Sequence, residues 1–497
     1  MNSTSHEEHG RPQTAPSTAG GIAAFSEASP RPLMPKSVAR GFIICVFLFL
    51  LLVQAGYLVR VGNGLPPPGM GDSHSEADLI RSADAYFKDG LTSHHGLPRI
   101  LYGYGKRFPT NGAVADHLDA NGLVPLKFRQ GFPPDQANPD DWVYTHYPPG
   151  PNLLGGALAH LFGFNHIWLW RLLPISLGFL AMTIFFRTLA RAFGADRAGL
   201  IVAACIVLPM VVFYLPGLHF QGYAFELLLL QLSLLIRIFW SPDGLRSWHG
   251  PVFFLLGFMQ GWLSFDLFFV VTLLAWPLWL LRRAEGVQPP VRRLLLMMVL
   301  PLAGFALAHV LHLLQVAVEL GGLRIAIEEF RRTAGERADQ PGMVVLPQTL
   351  QALLGSKTAS LGYFGSLALS GYYYLREVLI LRGLQFGPFM FLALLAALPV
   401  AAFRTTQVAV MTRGKGRRIF CSLSWPGPKG ILPVLGAALL VSSLWLLVMP
   451  AHVVGNSHIT VRQLFVLYFF LVVTVVRSIS VSEERSASAG TMVAPKS

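Results

Sequence analysis

The chain has 497 residues, of which 53% are hydrophobic and 13% charged, with a mean hydropathy of +0.51 and a formal net charge of +13. Soluble globular domains carry about 25% charged residues, so a cytosolic enzyme, a disordered scaffold and a disulfide-built secreted module are excluded and a polytopic α-helical membrane protein is left. The basic excess is accounted for by loops retained in the cytoplasm, so no nucleic-acid partner is expected.

Residues 1–38 are poor in aromatics and rich in Ser, Pro, Gly and Ala, which predicts a disordered cytoplasmic tail. From Gly41 to Val59 no charge occurs, long enough for a first span. Arg31, Lys36 and Arg40 precede it and hold the tail inside. No small-residue cleavage site follows, so the span is read as uncleaved. Cys45 and Cys205 fall in apolar runs and Cys421 in a basic loop, so no disulfide framework is legible.

Residues 61–168 then stay outside the membrane. Within them Pro148 to Phe164 is apolar, short and Gly-rich, and either crosses or lies flat in the interface. Lying flat lets the next span, 169–187, deliver Arg187, Arg191 and Arg197 to the cytoplasm, as charge bias prefers. Spans are expected at 199–216 and 222–240, and the run 251–281, with Asp266 as its single charge, reads as a short re-entrant pair with Asp266 near the outer tip. A span at 294–317 leads to a second external segment, 318–385, with an amphipathic start. Spans at 386–403 and 430–450 bracket a basic loop with Arg413, Lys415, Arg417, Arg418 and Lys429, and a last span at 463–477 returns the tail 481–497 to the cytoplasm.

The expected fold is therefore an all-α polytopic membrane protein of about ten transmembrane helices plus external juxtamembrane helices. Residues 39–317 form an N-terminal transmembrane module that includes the external loop 61–168, and 386–480 supply the C-terminal transmembrane helices. No fixed-period or inverted repeat stands out, which disfavours the commonest transporter architectures.

Directly after the first span the chain reads Gly71-Asp72-Ser73-His74-Ser75-Glu76-Ala77-Asp78, with Arg81, Ala83 and Gly90 following. Ser73 or Ser75 can cap a helix here and Gly90 can end it. A carboxylate at such a boundary can take a proton from an acceptor hydroxyl, because partial desolvation raises its basicity. The same charges are also what a helix N-terminus attracts through its macrodipole.

This acidic cluster, followed by Tyr144-Thr145-His146-Tyr147-Pro148-Pro149-Gly150-Pro151 before a Leu/Gly-rich helix, then Arg171-Leu172 and Leu189 to Gly194, resembles the GT-C integral-membrane glycosyltransferases. The resemblance is to the bacterial branch related to protein mannosyltransferases and lipid A aminoarabinose transferases, and it covers roughly residues 40–240. It implies a sugar taken from a polyprenyl-phosphate carrier, a Pro-Pro helix lying flat on the outer face, and an external active site. The family's Asp-Glu pair falls on Ser75-Glu76, so the usual catalytic Asp is a serine. The catalytic candidates are then Glu76, Asp78 and Asp72, in that order.

A phosphate leaving group needs cations near the outer interface. Arg81, Lys127, Arg129, Arg331, Arg332 and Lys357 are external candidates, each also explicable as a solvated surface charge. His452, His458 and Arg462 cluster between the last two spans and resemble the family's late His-and-Arg loop. His146 and Tyr147 read either as donor contacts or as interfacial anchors of the Pro-Pro helix. Asp266 is costly in a membrane unless paired or wet, so it is placed at the cavity. His219 and Glu226 share a helical face and read as a structural hydrogen bond. No phosphate-binding glycine loop, HExxH or CxxC occurs. No cofactor is required besides the lipid-linked donor, and divalent-metal assistance is left open.

The expected function is transfer of a sugar from polyprenyl phosphate to an envelope glycan, lipid or protein at the external face of a bacterial inner membrane, with both termini cytoplasmic. A transporter or lipid flippase, and an inactive GT-C relative, are the competing readings.

Overall fold

The computed structural model describes residues 32–67, 73–101, 141–145, 147–206, 211, 215–218, 220–241, 244–339, 362–379, 406–410, 417–423, 428–455 and 458–485. The chain divides into 1–31 and 32–497. The first part, which holds most of the expected tail, lies outside the described residues, as do Lys127, Arg129 and Lys357.

Helix α1 (Lys36–Val61) opens after the extended Pro35 and contains the first apolar run. Helix α2 (Ser73–Asp89) follows and stops at Gly90, whose φ of 90° favours glycine and whose N–H bonds the Tyr86 carbonyl at 2.9 Å. A short 3-10 turn at Ser93–Gly96 leads to β1 (Arg99–Leu101), which pairs antiparallel with β2 (Asp141–Val143). Helix α3 (Gly150–Phe162) is the Pro-Pro helix. Its 13 residues span about 20 Å, short of a hydrocarbon core of ~30 Å, so its length suits the flat position.

Helices α4 (Ile167–Phe193), α5 (Ala195–Ile206) and α6 (Phe220–Trp240) come next. The apolar run around Asp266 forms α7 (His249–Leu263), α8 (Phe268–Leu273) and α9 (Ala275–Ala284). Helix α10 (Val291–Glu319) turns at Gly321 into the amphipathic α11 (Leu323–Asp339), and α12 (Gly362–Leu379) carries the tyrosines. Strands β3 (Thr406–Val410) and β4 (Arg417–Leu423) precede α13 (Pro428–Val448), α14 (Pro450–Gly455), α15 (His458–Ser478) and β5 (Ile479–Arg485).

Five helices among the described residues are long and apolar enough to cross a membrane: Lys36–Val61, Phe164–Phe193, Gly222–Trp240, Val291–Glu319 and Ile431–Val448. They match the spans expected at 41–59, 169–187, 222–240, 294–317 and 430–450. The expected span 386–403 lies outside the described residues, and the run 251–281 is divided among three short helices. Helix α6 buries 78% of its apolar window and α1 only 22%, which makes α6 interior and α1 peripheral. The main core joins Phe185 and Leu189 of α4, Leu228 and Leu232 of α6, Val270 and Leu278 of α8 and α9, and Phe469 and Phe470 of α15. Helices α7 and α10 cross in closest contact through Gly257, Gly261 and Gly304, where a Cβ would collide with the partner's backbone at Pro301, Phe305 and Phe254.

The strands are an addition to the helical expectation. Strand β4, from the basic loop, lies between β3 and β5, and its register sets Arg418 opposite Glu484 of the tail. Strands of one sheet cannot lie on opposite sides of a bilayer, so basic loop and tail share a side.

Polar contacts gather at two ends of the helical body. At one end Asp196 accepts from the Leu33 N–H, Glu285 pairs with Arg282 and Arg477, and Arg477 lies over Phe193 and Trp240. The other end unites the turn after α1, α2, the 3-10 turn, the approach to α3, the α7–α8 turn and α14. There Asn63 bonds residues 165 and 168, and His94 and His95 share Glu319 at 2.9 and 2.8 Å.

Candidate functional site

Two buried carboxylate–guanidinium pairs lie at this second end. In the first, Glu76 in the opening turn of α2 meets Arg171 of α4, Oε2 to Nη1 at 2.8 Å, with both side chains at most 1% exposed. Arg171 also donates from Nε to the Gly62 carbonyl at 3.2 Å and from Nη2 to the Gly64 carbonyl at 2.8 Å. The other Glu76 oxygen accepts the Leu218 N–H at 3.1 Å. This pair ties the end of α1, the start of α2, the first third of α4 and the loop before α6 into one knot. Glu76 is thus fixed between cation and backbone, in contrast to a water-accessible base.

The rest of α2 packs its apolar face, Leu79, Ile80 and Ala83, against Leu158 and Ala159 of α3. Gly155 and Gly156 allow this approach, since a Cβ at either would overlap Leu79 or Tyr86. Tyr86 is buried, which pushes its phenol well above the ordinary value, and it donates to the Gly96 carbonyl at 2.7 Å. Asp78 pairs with Arg81 at 3.0 Å, so the Arg81 cation is engaged within its own helix. The side chains of Asp72, His146 and His458 lie outside the described residues, as does that of Arg332, while Arg331 is exposed.

The second pair unites four sequence segments. Asp266, in the turn between α7 and α8, faces Arg462 of α15 at 3.2 Å and His452 of α14 at 3.8 Å. Gln463 donates to the Asp266 carbonyl at 2.8 Å, and Asp266 N–H bonds Ser264 Oγ at 3.1 Å, which fixes the turn. Tyr147 reaches His452 Nε2 at 3.3 Å, and its ring stacks on Phe265 at 4.6 Å and 4°. Arg462 lies over the Phe220 ring at 5.3 Å. Leu218, held by Glu76, is two residues from Phe220, so one loop joins both pairs.

The chemistry of the two pairs differs. Arg462 is 2% exposed, yet its Nε, Nη1 and Nη2 find no hydrogen-bond acceptor among the described residues, and neither carboxylate oxygen of Asp266 finds a donor at hydrogen-bond geometry. A buried guanidinium with unfilled donors is costly unless an acceptor enters. Trp445 adds a second constraint. Its indole can only donate, and it points Nε1 at His452 Nδ1 at 3.3 Å. Nδ1 is therefore the acceptor nitrogen, and the imidazole proton sits on Nε2, directed at the Tyr147 oxygen.

The spacing argument reached Tyr147, Asp266, His452 and Arg462, and these four meet. It omitted Trp445, Phe265 and Phe220, which carry no ionisable group, and two buried groups on other elements, His312 and Glu329. An ionisable residue inside an apolar run is a readable signal, and His309 and His312 in α10 satisfy it. Glu226, expected in a hydrogen bond with His219, is buried in α6, and His219 lies outside the described residues. Among the described residues no cluster of three or more His, Cys, Asp or Glu is arranged to hold a metal ion. Between α7 and α10 an apolar groove of about 360 Å³ is lined by Trp262, Leu311, Leu314 and Val318, with His95 and Gln315.

Among solved structures, the chain is similar to the crystal structure of the Archaeoglobus fulgidus oligosaccharyltransferase in complex with zinc and sulfate, at 16% identity and a TM-score of 0.34. The match covers 68% of this chain and 45% of that one, so the chain spans less than half the length of the structure it matches. No family model matches the chain, and no curated protein does.

Proposed function

We propose that the chain is a GT-C-type membrane glycosyltransferase that moves a sugar from a polyprenyl-phosphate carrier to an acceptor at the external face. The observation that carries this reading is the buried Arg462 guanidinium, whose donors find no hydrogen-bond acceptor among the described residues. Its planar fork suits a phosphate, and Asp266 holds it in place without using its remaining N–H groups. The donor phosphate takes those donors, with the Tyr147 hydroxyl beside it. His146 and His458 remain further candidates for donor contacts on the sequence alone, and the apolar groove at Trp262 is the proposed seat of the hydrocarbon tail.

In the reaction an acceptor hydroxyl attacks the anomeric carbon, the bond from that carbon to the phosphate oxygen breaks, and the phosphate leaves on its lipid. Charge grows on the phosphate as that bond lengthens, which is where Arg462 acts. The hydroxyl proton passes to a carboxylate of the α2 segment. Glu76 is committed to Arg171 and serves to hold α2, so Asp78 and Asp72 are the candidates for the base. The donor is the only cofactor in this scheme, and the acceptor is an envelope glycan, lipid or protein. The protein sits in a bacterial inner membrane with both termini, the basic loop and the β3–β5 sheet in the cytoplasm, as the positive-inside rule prefers.

The test is transfer from a radiolabelled polyprenyl-phosphate sugar in membranes. Wild type transfers label, Arg462→Lys raises KM for the donor about tenfold and also lowers kcat, and either Asp78→Asn or Asp72→Asn lowers kcat. Donor binding without transfer identifies an inactive relative, and neither binding nor transfer overturns the reading.

A further inference from the structure

Thr145, two residues before Tyr147, is held at both of its polar groups. Its carbonyl faces His312 Nε2 of α10 at 3.0 Å, and its hydroxyl donates to Glu329 Oε1 of α11 at 3.1 Å. All three residues are buried: Thr145 is 1% exposed, His312 0% and Glu329 3%. A carbonyl accepts only, so His312 carries its proton on Nε2. His309, one turn earlier on α10, approaches the Phe265 ring at 6.2 Å, the ring on which Tyr147 stacks. Helix α10 therefore supports the Tyr147 cluster at both of its walls. A threonine in a strand-to-helix approach needs neither a histidine from a neighbouring span nor a glutamate from an amphipathic helix to fold locally. Two buried polar groups directed at one residue imply a position that must not drift.

We infer that His312 and Glu329 are positioning residues that lock Thr145 and thereby set the Tyr147 ring against Phe265 and its hydroxyl at His452. The inference rests on the reading of the Tyr147 cluster as the donor-phosphate site. Neither residue touches the donor. Their effect is on how well Tyr147 and His452 are prepared to receive it, which places it on donor KM and leaves kcat nearly unchanged.

The experiment uses the full chain in lipid nanodiscs with 3-fluorotyrosine at position 147, read by fluorine NMR, alongside transfer kinetics with the polyprenyl-phosphate sugar. His312→Leu, Glu329→Leu and the near-isosteric Thr145→Val are expected to shift or broaden the fluorine signal and to raise donor KM about tenfold. His312→Gln keeps an N–H near Nε2, and Glu329→Gln keeps an acceptor oxygen, so both are expected to restore the wild-type signal and KM. Should the leucine variants not fold, Thr145→Val decides alone, since it deletes one bond and no volume. An unmoved signal in Thr145→Val, a moved signal with unmoved KM, or Gln variants that behave as the leucines would each overturn the inference. Absence of transfer by the wild type would instead refute the glycosyltransferase reading, and the fluorine signal would still decide whether the latch exists.

Discussion

Glu76–Arg171 and Asp266–Arg462 are both carboxylate–guanidinium pairs shut away from water, and they are built for different ends. Arg171 hydrogen-bonds the Gly62 and Gly64 carbonyls from Nε and Nη2, and its Nη1 is ion-paired with Glu76 at 2.8 Å. Among the described residues Arg462 is ion-paired with Asp266 at 3.2 Å, hydrogen-bonds no acceptor and lies against a ring. Burial and charge are equal in the two, so neither property identifies a binding site. The hydrogen-bond complement does: a guanidinium filled by backbone carbonyls is a tie, and one left with donors to spare is a receptor.

The largest effect that would break this comparison concerns the filled pair. Removing one partner of a buried pair leaves an uncompensated charge and costs about 3–5 kcal/mol. Arg171→Leu is expected to cut the amount of folded protein and to lower its unfolding temperature in detergent, measured by size-exclusion chromatography after graded heating. A variant as heat-resistant as wild type would remove Arg171 from its structural role.

Arg462→Gln is next. Charge-assisted hydrogen bonds contribute about 1.5–3 kcal/mol, so affinity for polyprenyl phosphate should fall about ten- to hundredfold. The fold should suffer less than in Arg171→Leu, because a glutamine amide can still donate to Asp266 whereas a leucine offers Glu76 no donor. Added polyprenyl phosphate should raise the unfolding temperature of wild type, as any ligand of the native state does, and leave Arg462→Gln unmoved.

Trp445→Phe sharpens the contrast through the His452 ring. The substitution removes the indole N–H that meets His452 Nδ1 at 3.3 Å and so fixes the ring. The ring then turns to meet Asp266 and loses its set contact with Tyr147, so donor KM should rise severalfold, and an unmoved KM would reject the role given to the indole. The smallest effect belongs to a partly exposed pair, Arg99 with Asp89 at 2.7 Å: Arg99→Ala should change stability by less than ~1 kcal/mol in the same heating assay.

Five apolar helices were legible because a charge-free run of about twenty residues has few other uses. Asp266 and Arg462 were legible for the converse reason, that ionisable groups beside such runs are costly. What the sequence hid is distance across the chain. Glu76 and Arg171 stand 95 positions apart, and nothing local marks Glu76 as paired with another helix where Asp78 pairs within its own, so motif spacing ranked Glu76 first for the base. Trp445 reads as one more apolar residue near a helix end until its N–H is seen to face a histidine. Strands β4 and β5 are short and come from a basic loop and a tail, segments whose pattern predicts no sheet.

The most direct measurement is equilibrium binding of unsugared polyprenyl phosphate to the purified full-length chain in nanodiscs, with wild type, Arg462→Gln and Arg171→Lys compared at equal folded concentration. Saturable binding by wild type and by Arg171→Lys, weakened at least tenfold in Arg462→Gln, is the predicted result. Equal affinity in wild type and Arg462→Gln would mean that the unfilled guanidinium is no receptor, and the assignment of this end of the molecule to donor binding would fail.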